Sequence, residues 1–83
     1  MGKLFHVNIL TPENKIFEGD VVSLIVPAAL GYLGVLADHA PLIATLTPGK
    51  IIYRDSHSSQ VVISNKGKGF IEVCNNKATI LLN

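Results

Sequence analysis

Residues 69–82, which read GFIEVCNNKATILL, decide the fold class of this chain. The segments Gly69–Cys74 and Lys77–Leu82 are rich in aliphatic residues, and Asn75-Asn76 joins them. Asparagine tolerates the left-handed backbone conformation that a two-residue hairpin turn requires. The stretch therefore predicts two antiparallel strands that form a β-hairpin.

The same pattern of short apolar segments separated by turn residues continues towards the N-terminus. A second hairpin is predicted across the polar loop Asp55–Ser59. The further predicted strands are Leu4–Leu10, Lys15–Glu18, Val21–Val26, Pro41–Leu46, Lys50–Arg54 and Gln60–Asn65. Short strands at this spacing, with no stretch that fits a helix of ordinary length, indicate an all-β antiparallel sandwich or barrel.

Glycine and proline mark the expected ends of several strands. Gly19-Asp20 is predicted to end the second strand, and Pro27, which cannot donate to a ladder, to end the third. Pro48-Gly49 has the residue order of a type II turn, in which proline presets φ and glycine accepts a positive φ. With neither linker nor repeat in the pattern, residues 1–83 are interpreted as a single β-sandwich domain.

The composition indicates a small domain that has a partner-binding surface. Hydrophobic residues make up 48% of the 83 residues, aromatic residues only 6%, and the mean hydropathy is +0.41. A chain of this size buries only about 60–65% of the surface that its unfolded form exposes, so some of the aliphatic side chains must lie at the surface. Large exposed apolar patches usually mark a partner interface or a risk of aggregation. The composition therefore favours a subunit of a larger assembly.

Charge, hydropathy and cysteine content argue against several classes of protein. The net charge is +1 and the pI is about 7.9, whereas nucleic-acid-binding domains usually have a pI above about 9. The longest apolar run, Leu24–Leu30, contains Pro27 and is far shorter than the ~18 residues of a membrane span. Cys74 is the one cysteine, which excludes an intrachain disulfide and fits a reducing compartment. We expect no nucleic-acid partner and no transmembrane segment.

No motif predicts catalysis, a cofactor or a metal ion. Asp38 and His39 are adjacent, but neighbouring side chains of an extended segment point to opposite faces, so the carboxylate is poorly placed to orient a general base. His6, His39 and His57 lack ligand spacing, and one cysteine cannot complete a zinc site of the usual kinds. A structural role in a turn is the expectation for His39.

The segment from Gly31 to Gly34 differs from the rest of the chain. It is interpreted as a loop with two glycines that can adopt positive φ or allow close backbone approach. Between them it presents Tyr32 and Leu33, an aromatic and a large aliphatic side chain that suit a contact with a partner. The alternative is a bulged corner of the sandwich with Leu33 turned inward.

This segment and its surroundings resemble the N-terminal β-sandwich domain of the epsilon subunits of F-type ATP synthases. The matching residues run in order along nearly the whole chain: Leu10-Thr11-Pro12-Glu13, Phe17-x-Gly19, Val26-Pro27, Gly31-x-Leu33-Gly34-Val35-Leu36-x-x-His39-Ala40-Pro41-Leu42, Leu46-x-Pro48-Gly49, Gly69-Phe70-Ile71-Glu72-Val73 and Ala78-Thr79-Ile80-Leu81.

The resemblance implies a flattened β-sandwich of about ten short strands at the foot of the central stalk. Such a domain is not an enzyme and carries no cofactor. It binds the gamma subunit with one face, and its lower edge touches the polar loops of the membrane ring of c subunits. It rotates with them and couples ion translocation to ATP synthesis. The implied location is peripheral, on the cytoplasmic face of the bacterial inner membrane.

The resemblance also assigns roles to individual residues. Those implied to contact the c-ring are Gly31, Tyr32, Leu33 and Gly34, although many relatives carry Glu where this chain has Tyr32. Those implied to brace the loop or to lie near the gamma subunit are His39, Pro41 and Leu42.

Two further expectations depend on the same comparison. Relatives commonly continue into a helical hairpin that inhibits ATP hydrolysis, whereas this sequence stops at Asn83; we expect no self-inhibition and no ATP site. The alternative function is a generic β-sandwich module that binds a ligand or a protein, for instance a carbohydrate. Carbohydrate sites usually expose several aromatic residues on one face, and this chain has only three Phe and two Tyr.

Overall fold

A computed structural model describes residues 2–83 of the chain. It contains eight strands where the resemblance implied about ten, and no helix among the described residues. The strands are β1 (Phe5–Leu10), β2 (Lys15–Ala28), β3 (Gly31–Val35), β4 (Leu42–Leu46), β5 (Gly49–Asp55), β6 (Gln60–Asn65), β7 (Gly69–Cys74) and β8 (Lys77–Leu82).

The strands form the two layers of a β-sandwich. In the first layer β8 lies between β1 and β7, and β7 pairs with β4 on its other side. In the second layer β2 lies between β3 and β5, and β6 pairs with β5. The N-terminal part of β2 pairs with β1 and so belongs to the first layer. The pairing of β1 with β8 is parallel, in contrast to the antiparallel arrangement predicted; the other pairings are antiparallel.

Alternate residues of the strands fill the space between the layers. In β7 and β8 the buried residues are Ile71, Val73, Ala78, Ile80 and Leu82, while the residues between them face outward. Phe17 and Tyr53 stack with their ring centroids 4.2 Å apart. Because side chains alternate between the two faces of a strand, each layer buries its inner face and presents its outer face to solvent.

The long strand β2 corrects two of the predicted strand ends. Gly19 does not end a strand but pairs with Val7 of β1, and the ring of Phe17 lies over it, so that a Cβ at position 19 would be 3.0 Å from the ring. Pro27 also lies within β2. The pairing with β5 ends at Ile25, so the missing N–H of Pro27 removes no hydrogen bond from that ladder.

The segment predicted as a loop between Gly31 and Gly34 is also a strand. It forms β3, which pairs with β2 across the two-residue turn of Ala29 and Leu30. Gly31 has a φ of 121°, a conformation that residues with a Cβ rarely adopt. The prediction of a loop, which depended on the two glycines, is therefore wrong: the segment is one strand of a hairpin.

Of the two predicted turns, one is confirmed and the other is wrong. Asn75 and Asn76 have φ values of 51° and 59°, which confirms the left-handed two-residue turn between β7 and β8. The prediction of a type II turn at Pro48-Gly49 is wrong, because Gly49 does not have a positive φ. Gly49 instead allows close packing, since a Cβ there would be 2.7 Å from the Cβ of Pro27.

Candidate partner-binding surface

The tip of the β2–β3 hairpin presents apolar side chains to solvent. Leu30 is fully exposed, and 62% of Tyr32 is exposed. The tip is held on one side by Ala29, whose N–H donates to the carbonyl oxygen of Thr45 at 3.1 Å. On the other side the backbone N–H of Lys50 donates to the Tyr32 hydroxyl at 3.4 Å. The apolar groups therefore project from a tip that is tied to β4 and β5.

An open groove separates the β2–β3 hairpin from β4. Its volume is about 410 Å³, and it is lined by residues 28–33 of the hairpin and 43–45 of β4. Ile43, on the β4 side, is 75% exposed. The lining contains no charged side chain, so the groove suits an uncharged group of a partner.

The four residues implied to form the c-ring contact lie together in β3 but face different ways. Tyr32 packs towards β5, because a Cβ on Gly49 would be 3.1 Å from its hydroxyl oxygen. Leu33 is partly buried against the core, which confirms the inward orientation that the sequence left open. A Cβ on Gly34 would meet nothing within 4 Å, so this glycine leaves open surface. Only Tyr32 of the four exposes a large side chain.

His39 and Pro41 lie in the connection from β3 to β4, and Leu42 is the first residue of β4. The N–H of His39 donates to the carbonyl oxygen of Leu36 at 3.3 Å, and its Nδ1 lies 2.7 Å from the carbonyl oxygen of Ala40. Leu42 packs against the core, whereas Pro41 is exposed. The imidazole thus contacts the backbone of its own loop, and Leu42 fixes the end of that loop.

Asp38 holds this connection to the turn between β7 and β8. Asn76 accepts a hydrogen bond from the Asp38 backbone N–H and donates one at 3.0 Å to the Asp38 carboxylate. Lys3 lies 2.9 Å from the same carboxylate. These contacts lower the pKa of Asp38, the bond from Asn76 more than that from Lys3. Nothing in the spacing of residues 3, 38 and 76 signals this cluster, because it depends on the pairing of distant strands.

Both outer faces of the sandwich carry a row of apolar residues. On the first layer Phe70 lies opposite Thr45 on one side and Leu81 on the other, and it is 45% exposed. On the second layer Ile52 lies between Ile25 and Val62. Val62 is 47% exposed. The aliphatic surface expected from the composition is thus divided between two faces.

A charged cluster lies on the outer face of the first layer, towards the edge formed by β1 and β2. His6 Nε2 is 2.8 Å from a carboxylate oxygen of Glu18, and Nδ1 is 3.0 Å from one of Asp20. Lys15 also contacts Glu18. The ammonium group of Lys15, and then the imidazole of His6, lower the pKa of Glu18 to about 2. This face therefore carries the exposed Phe70 on β7 and a charged cluster on β1 and β2.

Among residues 2–83 no three side chains of His, Cys, Asp or Glu come together as metal ligands. None of this part of the chain forms a helix that is long and apolar enough to cross a membrane.

The family assignment follows from residues 4–83. This range matches the family model described as "ATP synthase, Delta/Epsilon chain, beta-sandwich domain". The chain belongs to this family. Curated relatives carry the name ATP synthase epsilon chain: the protein of Dichelobacter nodosus is 44% identical over 99% of this chain, and that of Protochlamydia amoebophila is 48% identical over 94%. The chain spans 56% and 52% of these two relatives, about half of their length.

Solved structures support the fold of this delta/epsilon-type sandwich. A chain in the Euglena gracilis mitochondrial ATP synthase, in a structure of OSCP, F1 and c-ring, matches with a TM-score of 0.88 at 18% identity, over 95% of this chain and 50% of the other. A chain in the central stalk and c-ring of the Tetrahymena thermophila enzyme matches with a TM-score of 0.78 at 15% identity, over 99% and 66%. At such low identity the likeness applies to the fold.

Proposed function

We propose that this chain forms the β-sandwich of a non-catalytic rotor subunit in the central stalk of an F-type ATP synthase. In this role it links the gamma subunit to the c-ring and couples ion translocation to ATP synthesis. The observation that carries the proposal is the family match over residues 4–83, and relatives named ATP synthase epsilon chain support it. Residues 1–83 act as one domain, peripheral to the membrane on the cytoplasmic face of the bacterial inner membrane.

The outer face of β4, β7 and β8 is the proposed binding surface for the gamma subunit. Phe70 and Ile43 expose apolar area there, and burial of such area is the main favourable term in most protein association. His39 and Pro41 lead directly into β4 and therefore lie beside this face. In the proposed complex His39 braces the connection to β4, while Leu42 anchors the connection to the core.

The hairpin of β2 and β3 is the proposed contact with the c-ring. Gly31, Tyr32, Leu33 and Gly34 make up most of β3. Tyr32 supplies an exposed phenol ring, Leu33 holds the strand against the core, and the two glycines keep the backbone accessible. The hairpin lies at one end of the sandwich and does not overlap the outer face of β7. One domain could therefore contact both partners.

Calorimetric titration of this chain against the gamma subunit of the same organism tests the proposal. We expect a one-to-one complex with a negative ΔCp, the mark of apolar burial. Phe70→Glu is expected to weaken binding by about tenfold or more, because it places a charge in the proposed interface. Val62→Glu is the matched control, since Val62 has a similar exposure (47% against 45%) on the opposite face.

The unmodified chain tests whether the gamma subunit binds, and the two variants test which face it binds. If the folded, unmodified chain fails to bind the gamma subunit, the stalk role is wrong. If Val62→Glu weakens binding and Phe70→Glu does not, the gamma subunit binds the second layer instead. Thermal unfolding of both variants serves as the control for an intact fold.

A further inference from the structure

Among residues 2–83, the most exposed large apolar side chain lies at the tip of the β2–β3 hairpin. Leu30 is fully exposed, although both strands beside it are hydrogen-bonded to each other. The contact of Ala29 with Thr45 and that of Tyr32 with Lys50 hold the tip against β4 and β5. Since the tip is already ordered, burial of Leu30 by a partner would cost little conformational entropy.

The surroundings of the tip are uncharged. No charged residue occurs between Asp20 and Asp38, a range that includes the whole hairpin tip. Two charged residues of opposite sign flank it: the backbone of Lys50 contacts the Tyr32 hydroxyl, and Glu72 lies opposite Ile43 in the register of β4 and β7. The tip itself therefore supplies no charged side chain for an ion pair with a partner.

We infer that this domain meets the c-ring through apolar burial, with Leu30 as the anchor residue and without an ion pair. The inference rests on the proposed contact between the β2–β3 hairpin and the ring. In the complex Leu30 is buried against an exposed loop of a c subunit. An uncharged aliphatic group of that loop enters the groove between the hairpin and β4. The ring loop therefore contacts the tip with aliphatic and main-chain atoms and keeps its charged side chains outside the groove.

Binding of the gamma subunit complex of this chain to c-rings in lipid nanodiscs tests the inference. Dissociation constants are measured at about 50 mM and about 500 mM NaCl, where surface ion pairs are screened to different extents. The unmodified chain is expected to change its affinity by less than about twofold between these concentrations. Leu30→Glu is expected to weaken binding by about tenfold or more, and Leu30→Met to leave it within about twofold.

Leu36→Glu is the matched control for the charge that the variant introduces. Leu36 is 63% exposed and lies just beyond the other end of β3, away from the hairpin tip. The Leu36→Glu variant is expected to bind the ring with the affinity of the unmodified chain. Because Leu30 is fully exposed, Leu30→Glu should also leave the thermal unfolding temperature of the isolated domain unchanged, so a loss of ring binding cannot come from misfolding.

Two results would overturn the inference in different ways. If the unmodified complex contains the gamma subunit but does not bind the ring, the proposed ring contact is wrong, and the role of Leu30 is lost with it. If the complex binds the ring, but about tenfold more weakly at the higher salt and equally well with Leu30→Glu, the ring contact stands and the apolar mode of binding is wrong.

Discussion

His6 lies between two carboxylates, and both of its ring nitrogens have a partner. Only the imidazolium form can donate from both nitrogens, so Glu18, the larger cause, and Asp20 raise the pKa of His6 above its ordinary value of 6.5. Lys77 of β8 lies opposite His6 in the register, and Lys15 contacts Glu18. These ammonium groups are the other charges facing the cluster.

The raised pKa of His6 predicts a pH-dependent contribution to stability. A group whose pKa is raised on folding stabilises the protein fully below about pH 6.5, and this stabilisation is lost as the pH rises through the folded-state pKa. His6→Gln should therefore lower the free energy of unfolding more at about pH 5.5 than at about pH 9. Urea unfolding at both pH values measures the difference.

His57→Gln, in the exposed connection between β5 and β6, is the control for this experiment. The control should show a similar small effect at both pH values. A penalty of His6→Gln that stays constant between the two pH values would show that the ring acts there only through packing.

Gly69 and Gly34 provide a test of where the backbone needs a glycine. A Cβ on Gly69 would be 2.2 Å from the carbonyl oxygen of Leu81, whereas one on Gly34 would meet nothing within 4 Å. Gly69→Ala is expected to destabilise the protein by about 2–3 kcal/mol, because strand β8 must move. Gly34→Ala should change the free energy of unfolding by less than about 1 kcal/mol. Urea titration of both variants measures this, and equal effects would contradict the close approach of β7 and β8.

At the scale of elements, β6 is an edge strand with little protection. Among the described residues it pairs only with β5, and Gln60–Asn65 contains neither a charged residue nor a proline. Charged residues, prolines and bulges are the usual means by which proteins prevent pairing between edge strands of different molecules. The edge of β6 is therefore suited to pair with a strand of another copy.

Val62→Lys is expected to reduce self-association of the isolated domain. The added ammonium group lies on the outer face of β6, where two paired copies would bring like charges together. Light scattering at increasing protein concentration should show a smaller apparent mass for Val62→Lys than for the unmodified chain, while Val62→Thr, which stays neutral, should behave like the unmodified chain. Equal association of all three would exclude β6 as the contact.

The elements also differ in how well the sequence predicts them. The bounds of β6, β7 and β8 were predicted correctly, because each alternates inward and outward residues between clear turn residues. β2 was divided in two at Gly19-Asp20, and its end was predicted before Pro27, because glycine and proline often end strands. Here the Phe17 ring covers Gly19, and the ladder with β5 has already ended before Pro27. These contacts join residues through the fold, so local propensity cannot reveal them.

The candidate site was predicted in part. The glycine-bracketed segment led to Tyr32, which is exposed, but Leu30 was not singled out. In the sequence Leu30 ends an ordinary apolar run, and only the two-residue turn places it in solvent. The prediction that the Gly31–Gly34 segment contacts the c-ring stays a prediction, as does the role of His39, Pro41 and Leu42.

At the scale of the whole molecule, the domain is compact for its length. Its radius of gyration is 11.5 Å, close to the ~12 Å expected for a compact chain of this length. A domain this small has a large surface for its volume, and here both outer faces keep apolar rows. In the proposed assembly the gamma subunit covers only one of these rows, which leaves the row of Ile25, Ile52 and Val62 as the exposed side.

The continuity of β2 has a mechanical consequence in the proposed rotor role. A force applied at Leu30 passes along one covalent strand from Ala28 back to Lys15. It is then shared by the six residue pairs between β2 and β1, which must shear together before the strand can slide. No loop interrupts this path. The sandwich is therefore expected to be stiff between the hairpin tip and the first layer and to deform little under torque.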